Sequence, residues 1–429
     1  VKYSSTRGSA HTVTADQALL NGVAPDGGLY LPERLPVLPL TVFDGLDTLP
    51  DIASRVLTPF FEDSSLAERL RHICAAALDL HTPLVTPDHA QSNRHILELF
   101  HGPTGAFKDF GARFLMRCFS TIRQQGSPLT VLVATSGDTG GAVGCATEAT
   151  GDIPTLILFP KGRISSFQEQ QLCCWKTPVQ ALRMSDDFDA CQALVKAAFA
   201  DRALSERHGL SSANSINIGR FLPQMSYWAT AALDLKRATG RAPGFVIPTG
   251  NLGNAYAALL ARACGLPIGP VVLATNSNAT LPDWFRSGEY NPRPSVATLA
   301  NAMDVGAPSN FERLAAQPGF ELLAVERVSD DEIQARLRSE FETSGYIACP
   351  HTATALEAHA RLPEQIRSER PWVIGATAHP YKFADTIETV IDVTIQPPAG
   401  LADALRRPAR VRDMAANLDQ LASVLDQYA

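Results

Sequence analysis

From about residue 95 onward, short unbroken apolar runs alternate with stretches in which apolar residues recur every three or four positions. The runs Ile96 to Phe100, Leu129 to Thr135, Ile153 to Phe159, Val179 to Met184, Phe245 to Pro248, Pro270 to Thr275 and Trp372 to Thr377 predict strands. The periodic stretches Phe107 to Gln125, Phe188 to Ala200, Ala255 to Cys264 and Glu332 to Glu342 predict helices, as does the stretch leading to Thr150. Asp186 and Asp187 stand where the helix at 188–200 needs a capping carboxylate. Strands that are apolar on both faces and alternate with helices imply a mostly parallel sheet covered by helices, an α/β fold. Ligands in such sheets bind at the carboxyl ends of the strands.

The flanks have a different pattern. Residues 1–90 are rich in loops and short helices (Ile52 to Leu57, Leu66 to Leu78), with a turn cluster from Asn21 to Pro32. That region is expected to be a cap or interface domain without chemistry of its own. Residues 281–345 are mixed, with a Pro-rich turn at Asn291 to Pro294, and the charged stretch 400–429 is expected to be helical and to pack on the outside. The divisions fall at about 1–90, 91–395 and 396–429.

Composition narrows the function classes. A net charge of -7 argues against non-specific nucleic-acid binding, and an anionic substrate would need a locally positive pocket. No apolar run approaches a membrane span, and Val1 to Ser9 lacks a signal-peptide core. The 8 cysteines include no Cys-x-x-Cys and the 10 histidines no His-Glu-x-x-His. The expectation is a reduced, cytoplasmic protein with no metal and no membrane or nucleic-acid partner.

The chemistry concentrates where strands hand over to helices. Lys108 follows the first strand, inside Phe107-Lys108-Asp109-Phe110. An amine held among aromatic residues at a helix start is desolvated, which lowers its pKa and suits it to a Schiff base with a carbonyl compound. The alternative is a surface lysine paired with Asp109. Gly250-Asn251-Leu252-Gly253-Asn254, between a strand and a helix, reads as a cradle for one phosphate. It lacks the spacing of a dinucleotide fingerprint and the ending of a nucleotide P-loop. Ser136 to Gly141 is a second anion-facing loop, or simply a capped helix start. Asn214, Ser215, Asn217 and Arg220 form a third polar cluster, either a second phosphate site or an Asn-rich turn beside a surface arginine.

Taken together, these motifs resemble the threonine synthase family. The resemblance rests on Phe-His-Gly-Pro-Thr-x-Ala-Phe-Lys-Asp-Phe at 100–110, Ala-Thr-Ser-Gly-Asp-Thr-Gly at 134–140 and Ser-Ala-Asn-Ser-Ile-Asn at 212–217. Ala-Pro-Asp-Gly-Gly-Leu-Tyr at 24–30, Asn-Ala-Met-Asp-Val at 301–305 and Thr-Ala-His-Pro-x-Lys-Phe at 377–383 extend it over nearly the whole chain. It implies a pyridoxal 5′-phosphate enzyme of fold type II, like the tryptophan synthase β chain, with an added N-terminal domain and a smaller mobile domain at about 115–210. Carried over, Lys108 binds the cofactor covalently and Gly250, Asn251, Leu252, Gly253 and Asn254 hold its phosphate. Asp138 lies near its phenolic oxygen, and Thr352 meets its pyridine nitrogen. Thr135, Ser136 and Thr139 take the substrate carboxylate, while Asn214, Ser215 and Arg220 take the substrate phosphate.

The implied reaction converts O-phospho-L-homoserine and water to L-threonine and phosphate, by γ-elimination and β-addition of water, in a monomer or homodimer. The rivals are another fold type II lyase, such as a threonine or serine dehydratase, and a non-catalytic phosphometabolite sensor. Three positions depart from the family pattern. Leu252 and Asn254 remove an aromatic and a charge, leaving the backbone donors, and Gly105 is expected to loosen the loop before Lys108.

Overall fold

In the computed structural model, which describes residues 1–8, 11–87, 93–123, 128–135, 137–162, 164–317 and 319–428, the apolar runs become strands, most of them buried on both faces. In chain order the strands are β1 (Tyr3–Ser5), β2 (Tyr30–Pro32), β3 (Leu84–Val85), β4 (Arg94–Glu98), β5 (Thr130–Ala134), β6 (Thr155–Pro160) and β7 (Val179–Met184). β8 (Leu210–Ser212), β9 (Gly244–Pro248), β10 (Val271–Thr275), β11 (Ala324–Arg327), β12 (Trp372–Ala376) and β13 (Val411–Met414) complete the series. β5, β6, β9, β10 and β12 are buried at every position, as a strand covered by helices on both sides must be.

Two sheets carry the architecture. The larger runs β11-β10-β9-β12-β4-β3, parallel except for β3. Ile374 of β12 pairs with Ile96 of β4 on one side and Val246 of β9 on the other, so these three strands end together. The loops that leave that edge lead into the helices Lys108–Arg123 and Gly253–Ala263 and the short 3-10 helix Pro380–Phe383. The smaller sheet runs β13-β7-β6-β5-β8, all parallel. β5 of this sheet leads into the helix Asp138–Thr150.

Both flanks pack against the sheets and their helices. The N-terminal region, expected as a cap or interface domain, is joined to the rest through a common core. Tyr3, Phe43 and Phe60 share one core with Phe110, Phe114 and Trp228, and Phe61 meets Phe114 edge-on at 5.9 Å. The C-terminal stretch is not wholly helical and does not stay outside. β13 extends the smaller sheet beside β7, and Leu421, Val424 and Leu425 of the helix Leu418–Tyr428 are buried against Leu182, Met184 and Leu194. No helix among the described residues is long and apolar enough to cross a membrane.

Candidate active site

Lys108 is the first residue of the helix Lys108–Arg123, and the chain reaches it through a turn braced by the neighbouring strand β12. Leu99 N–H donates to Ala376 O and Phe107 N–H to Thr377 O, each at 2.9 Å, tying the turn to the end of β12. Gly105 adopts φ +67°, a left-handed conformation, and a Cβ there would lie 2.9 Å from Leu401 Cδ1. A side chain at Gly105 would therefore be strained by the backbone conformation and would press on the end of the Leu401 side chain. Gly105→Ala should cost roughly 1–2 kcal/mol from the backbone conformation alone, with the steric contact added to it. Urea unfolding would measure this, and Gly105→Ala in a Leu401→Ala background should recover the steric part only. An unchanged denaturation midpoint in the single variant would contradict the account.

The Lys108 amine is partly buried, 4.5 Å from the centroid of the Phe107 ring. Of the two flanking aromatics only Phe107 meets it; Phe110 turns into the core against Tyr227 at 5.0 Å. The competing Asp109 pairing is not the arrangement here. Asp109 accepts from Thr104 N–H at 3.0 Å and Thr104 Oγ1 at 2.8 Å, and burial lifts its pKa to about 6. Burial foremost, then the positive charge of Arg220, brings the Lys108 pKa down to about 8, with Asp138 opposing. An appreciable share of the amine is then neutral and nucleophilic near neutral pH.

Lys108, Asp138, Ser215, Arg220 and the whole loop Gly250 to Asn254 line one cavity. The helix Gly253–Ala263 starts at Leu252, which holds φ 64° and offers no side-chain cap, so its first N–H groups are left for an anion. A Cβ on Gly250 would lie 2.7 Å from Met303 Cα, so glycine lets the 301–305 segment close over the loop. Asn254 lines the cavity, but its side chain is engaged in the fold. Its Oδ1 accepts from Thr249 Oγ1 at 2.9 Å and its Nδ2 donates to Pro248 O at 2.9 Å. Asn251 Nδ2 donates to Ser215 Oγ at 2.6 Å, which joins the glycine loop to the 214–220 segment.

Arg220 is 1% exposed, and burial lowers its pKa to about 10. One guanidinium nitrogen donates to Ala213 O, while Nε has no partner among the described residues. The Oδ1 of Asn214 is likewise buried without a partner, although Asn214 stands outside the cavity lining. Asn217 is fully engaged. Its Nδ2 donates to Leu19 O at 2.8 Å and Ser212 O at 2.9 Å, and its Oδ1 accepts from Gly219 N–H at 3.0 Å.

The other expected residues divide. Thr135 and Thr139 do not line the cavity. Thr135 Oγ1 accepts from Gly137 N–H at 3.0 Å and Gly140 N–H at 3.1 Å, pinning its own loop. Thr139 is partly buried in the first turn of the helix Asp138–Thr150, and Ser136 lies outside the described residues. Thr352 is fully buried beside Cys349 Sγ at 3.3 Å; the residue that reaches the lining there is its neighbour His351. His351 Nε2 accepts from Ala302 N–H at 3.1 Å, which places its ring proton on Nδ1, and burial lowers its pKa to about 4.

Three further residues belong to this framework, and the first two, Arg313 and Asn310, carried no local signal in the sequence. Arg313 is fully buried, 4.5 Å from the centroid of the Phe221 ring. It donates to Tyr30 O at 3.0 Å, to Ile216 O and to Asn310 Oδ1. Asn310 in turn donates to Asn251 O at 2.9 Å, so Arg313 and Asn310 set the glycine loop and the 214–220 segment against the N-terminal region. The third is Lys382, whose motif was visible at 377–383 but whose partner was not. Its ammonium reaches Asp138 Oδ1 at 2.8 Å. A nucleophilic amine, an uncapped helix terminus and a guanidinium with a free edge, sharing one cavity, suit a phosphorylated ligand that carries an amine-reactive carbonyl.

Known proteins give the same grouping. Residues 81–378 match the family model for pyridoxal-phosphate dependent enzymes, residues 2–78 that for the threonine synthase N terminus, and residues 352–425 that for the threonine synthase C-terminal region. The chain is 36% identical over 432 residues to a threonine synthase of Haemophilus influenzae, with 96% of each covered. Among solved structures, threonine synthase from Escherichia coli superimposes with a TM-score of 0.89 at 35% identity over 100% of both chains. The pyridoxal-phosphate-bound threonine synthase from Brucella melitensis gives 0.90 at 35% identity, over 100% of this chain and 99% of that one.

Proposed function

The chain belongs to the threonine synthase family of pyridoxal-phosphate-dependent lyases, and on that premise we propose that the Lys108 cavity takes O-phospho-L-homoserine and water to L-threonine and phosphate. The observation that carries the substrate is the pair of anion receivers in one cavity. The glycine loop would take the phosphate of the cofactor, which leaves the buried Arg220 guanidinium on the same lining for a second phosphate. A dehydratase acting on an unphosphorylated amino acid has no use for that second receiver. The cavity also suits the cofactor, because the uncapped terminus at Leu252 stands on the same lining as an amine of lowered pKa.

When bound, pyridoxal phosphate supplies the electron sink that acidifies the carbon-bound protons of the substrate. The part left to this chain is positioning and proton transfer. Lys108 would hold the cofactor covalently, and its amine, when free, would serve as general base at the α-carbon and then the β-carbon. Arg220, with Ser215 on the same lining and Asn214 next to Ser215 in the chain, bears the charge that develops as phosphate leaves the γ-carbon. The Thr135 to Thr139 loop would take the substrate carboxylate, Asp138 on the lining would serve the cofactor's phenolic oxygen, and Thr352, buried beside Cys349, would offer the pyridine nitrogen a hydroxyl that does not keep it protonated. The smaller sheet, with the region at about 115–210, moves relative to the larger one. The eight free cysteines suit a reducing compartment, so the cytoplasm is the proposed location.

The test is phosphate release from O-phospho-L-homoserine by the purified protein, with the amino-acid product identified by chromatography. Stoichiometric threonine and phosphate are expected. Release of ammonia and a 2-oxo acid from threonine, with no phosphate from phosphohomoserine, would establish the dehydratase instead. A colourless protein without turnover would establish the sensor.

A further inference from the structure

We propose that Lys382 is a positioning residue for Asp138, an ammonium sealed between the two sheets that keeps the Asp138 carboxylate charged and fixed at the wall of the Lys108 cavity. The proposal rests on the reading of that cavity as the cofactor site.

The Lys382 side chain is 0% exposed. Its Nζ donates to Thr104 O at 3.0 Å and Gln171 Oε1 at 2.9 Å, and forms an ion pair with Asp138 Oδ1 at 2.8 Å that lacks hydrogen-bond geometry. Those partners come from separate segments. Thr104 belongs to the turn that delivers Lys108, Gln171 to the helix Ser166–Cys173 and Asp138 to the helix Asp138–Thr150. Lys382 itself stands in the 3-10 helix Pro380–Phe383, just beyond the end of β12. It therefore joins the larger sheet to the smaller one at the cavity. Its own position is set from the Lys108 turn, since His379 N–H donates to Gly105 O at 2.9 Å. A buried ammonium persists only where its protons and charge are both met, and here one carboxylate meets the charge.

Asp138 depends on Lys382 in return. Burial works to raise the Asp138 pKa, but Lys382 above all, with His351 and Lys108, outweighs it and holds the group below the usual carboxylate range. These are the charged and titratable groups that face Asp138; Asp109 also feels Lys382, from its place against Thr104. His351 stays neutral near pH 7, so without Lys382 the remaining positive charge is that of Lys108 itself. Asp138 in turn supports the charged form of Lys108 against burial and Arg220. The order of influence is Lys382 on Asp138, and Asp138 on the nitrogen of Lys108.

The experiment is a pH titration of the visible absorbance of the resting holoenzyme, in wild type, Lys382→Met, Lys382→Arg, Asp138→Asn and the Lys382→Met/Asp138→Asn double variant, with far-UV circular dichroism on each. Without Lys382 the buried Asp138 carboxyl takes up a proton and no longer favours the protonated form of the Lys108 nitrogen, so Lys382→Met should move the midpoint to lower pH by about one unit or more. Asp138→Asn added to Lys382→Met should change nothing further, and Lys382→Arg should titrate close to wild type. A midpoint that rises in Lys382→Met would show Lys382 acting through its own charge, and would overturn the proposal. So would an additional shift in the double variant. Should Lys382→Met fail to fold, the double variant decides, because it orphans no buried charge. Its midpoint must lie below that of wild type, and a wild-type midpoint overturns the proposal. A wild-type protein without visible absorbance would overturn the cofactor-site reading together with this one. A coloured wild type whose titration ignores Lys382 overturns this one alone.

Discussion

Lys108→Ala protein is expected to release no measurable phosphate from O-phospho-L-homoserine. The amine is assigned both the covalent hold on the cofactor and the general base, and loss of a general base alone costs on the order of 10²–10⁴-fold. Its placement supports both tasks, with burial and Arg220 together holding its pKa at about 8. Borohydride treatment of the wild-type holoenzyme should fix the cofactor to the peptide that contains Lys108. Lys382 is the informative decoy, since its ammonium is also buried and also meets Asp138. Label recovered on Lys382, or turnover within tenfold of wild type in Lys108→Ala, would end the assignment. The variant should also be no less stable as apoprotein at pH 7. Folding lowers the Lys108 pKa from 10.5 to about 8, so the charged amine opposes folding fully below about pH 8, and the penalty disappears above 10.5. Removing the amine should raise the melting temperature slightly at neutral pH, and the difference from wild type should close as the pH passes 10.5. A fall in melting temperature at pH 7 would show that the amine has a structural role.

Arg220→Ala should lose on the order of a hundredfold or more in kcat, by comparison with loss of one oxyanion donor. A guanidinium that is 1% exposed, with an unpartnered Nε, is held at a cost that a phosphate dianion would offset. Arg220→Lys keeps the charge without the fork, and its turnover should fall between the two. Visible absorbance should persist in both variants, since the cofactor phosphate is assigned to the glycine loop; retained absorbance also reports an intact fold. Inorganic phosphate should compete with substrate in the wild type and much less in Arg220→Ala. Near-normal kcat with unaltered phosphate inhibition would remove Arg220 from the site and return the choice to an unphosphorylated substrate.

The local elements were legible because their signals are local. β7 and the helix Phe188–Ala200 fall on the bounds expected from the sequence, and Asp187 caps that helix by accepting from Ala190 N–H at 2.9 Å. An apolar run between turn residues, or a period near 3.6 behind a carboxylate, needs no distant partner to be read. β8 and β13 were missed for the opposite reason. Val411-Arg412-Asp413-Met414 is half charged, and it becomes a strand only because β7, far away in sequence, offers an edge in the right register.

The same division runs through the cavity. The residue types and their order already named Lys108, the glycine loop and Arg220 as the groups with chemistry to offer. The sequence also presented Thr135, Asn217 and Asn254 as free donors and acceptors, and tertiary structure engages each of them in holding a loop. It likewise turned Asp109 toward Thr104 and brought Lys382 to Asp138. A sequence counts hydrogen-bonding groups and charges, whereas only the packed chain decides which of them satisfy one another. Buried polar groups must be paired, so those left with a free edge, as Arg220 is, can be recognised only once the folded partners of the others are known.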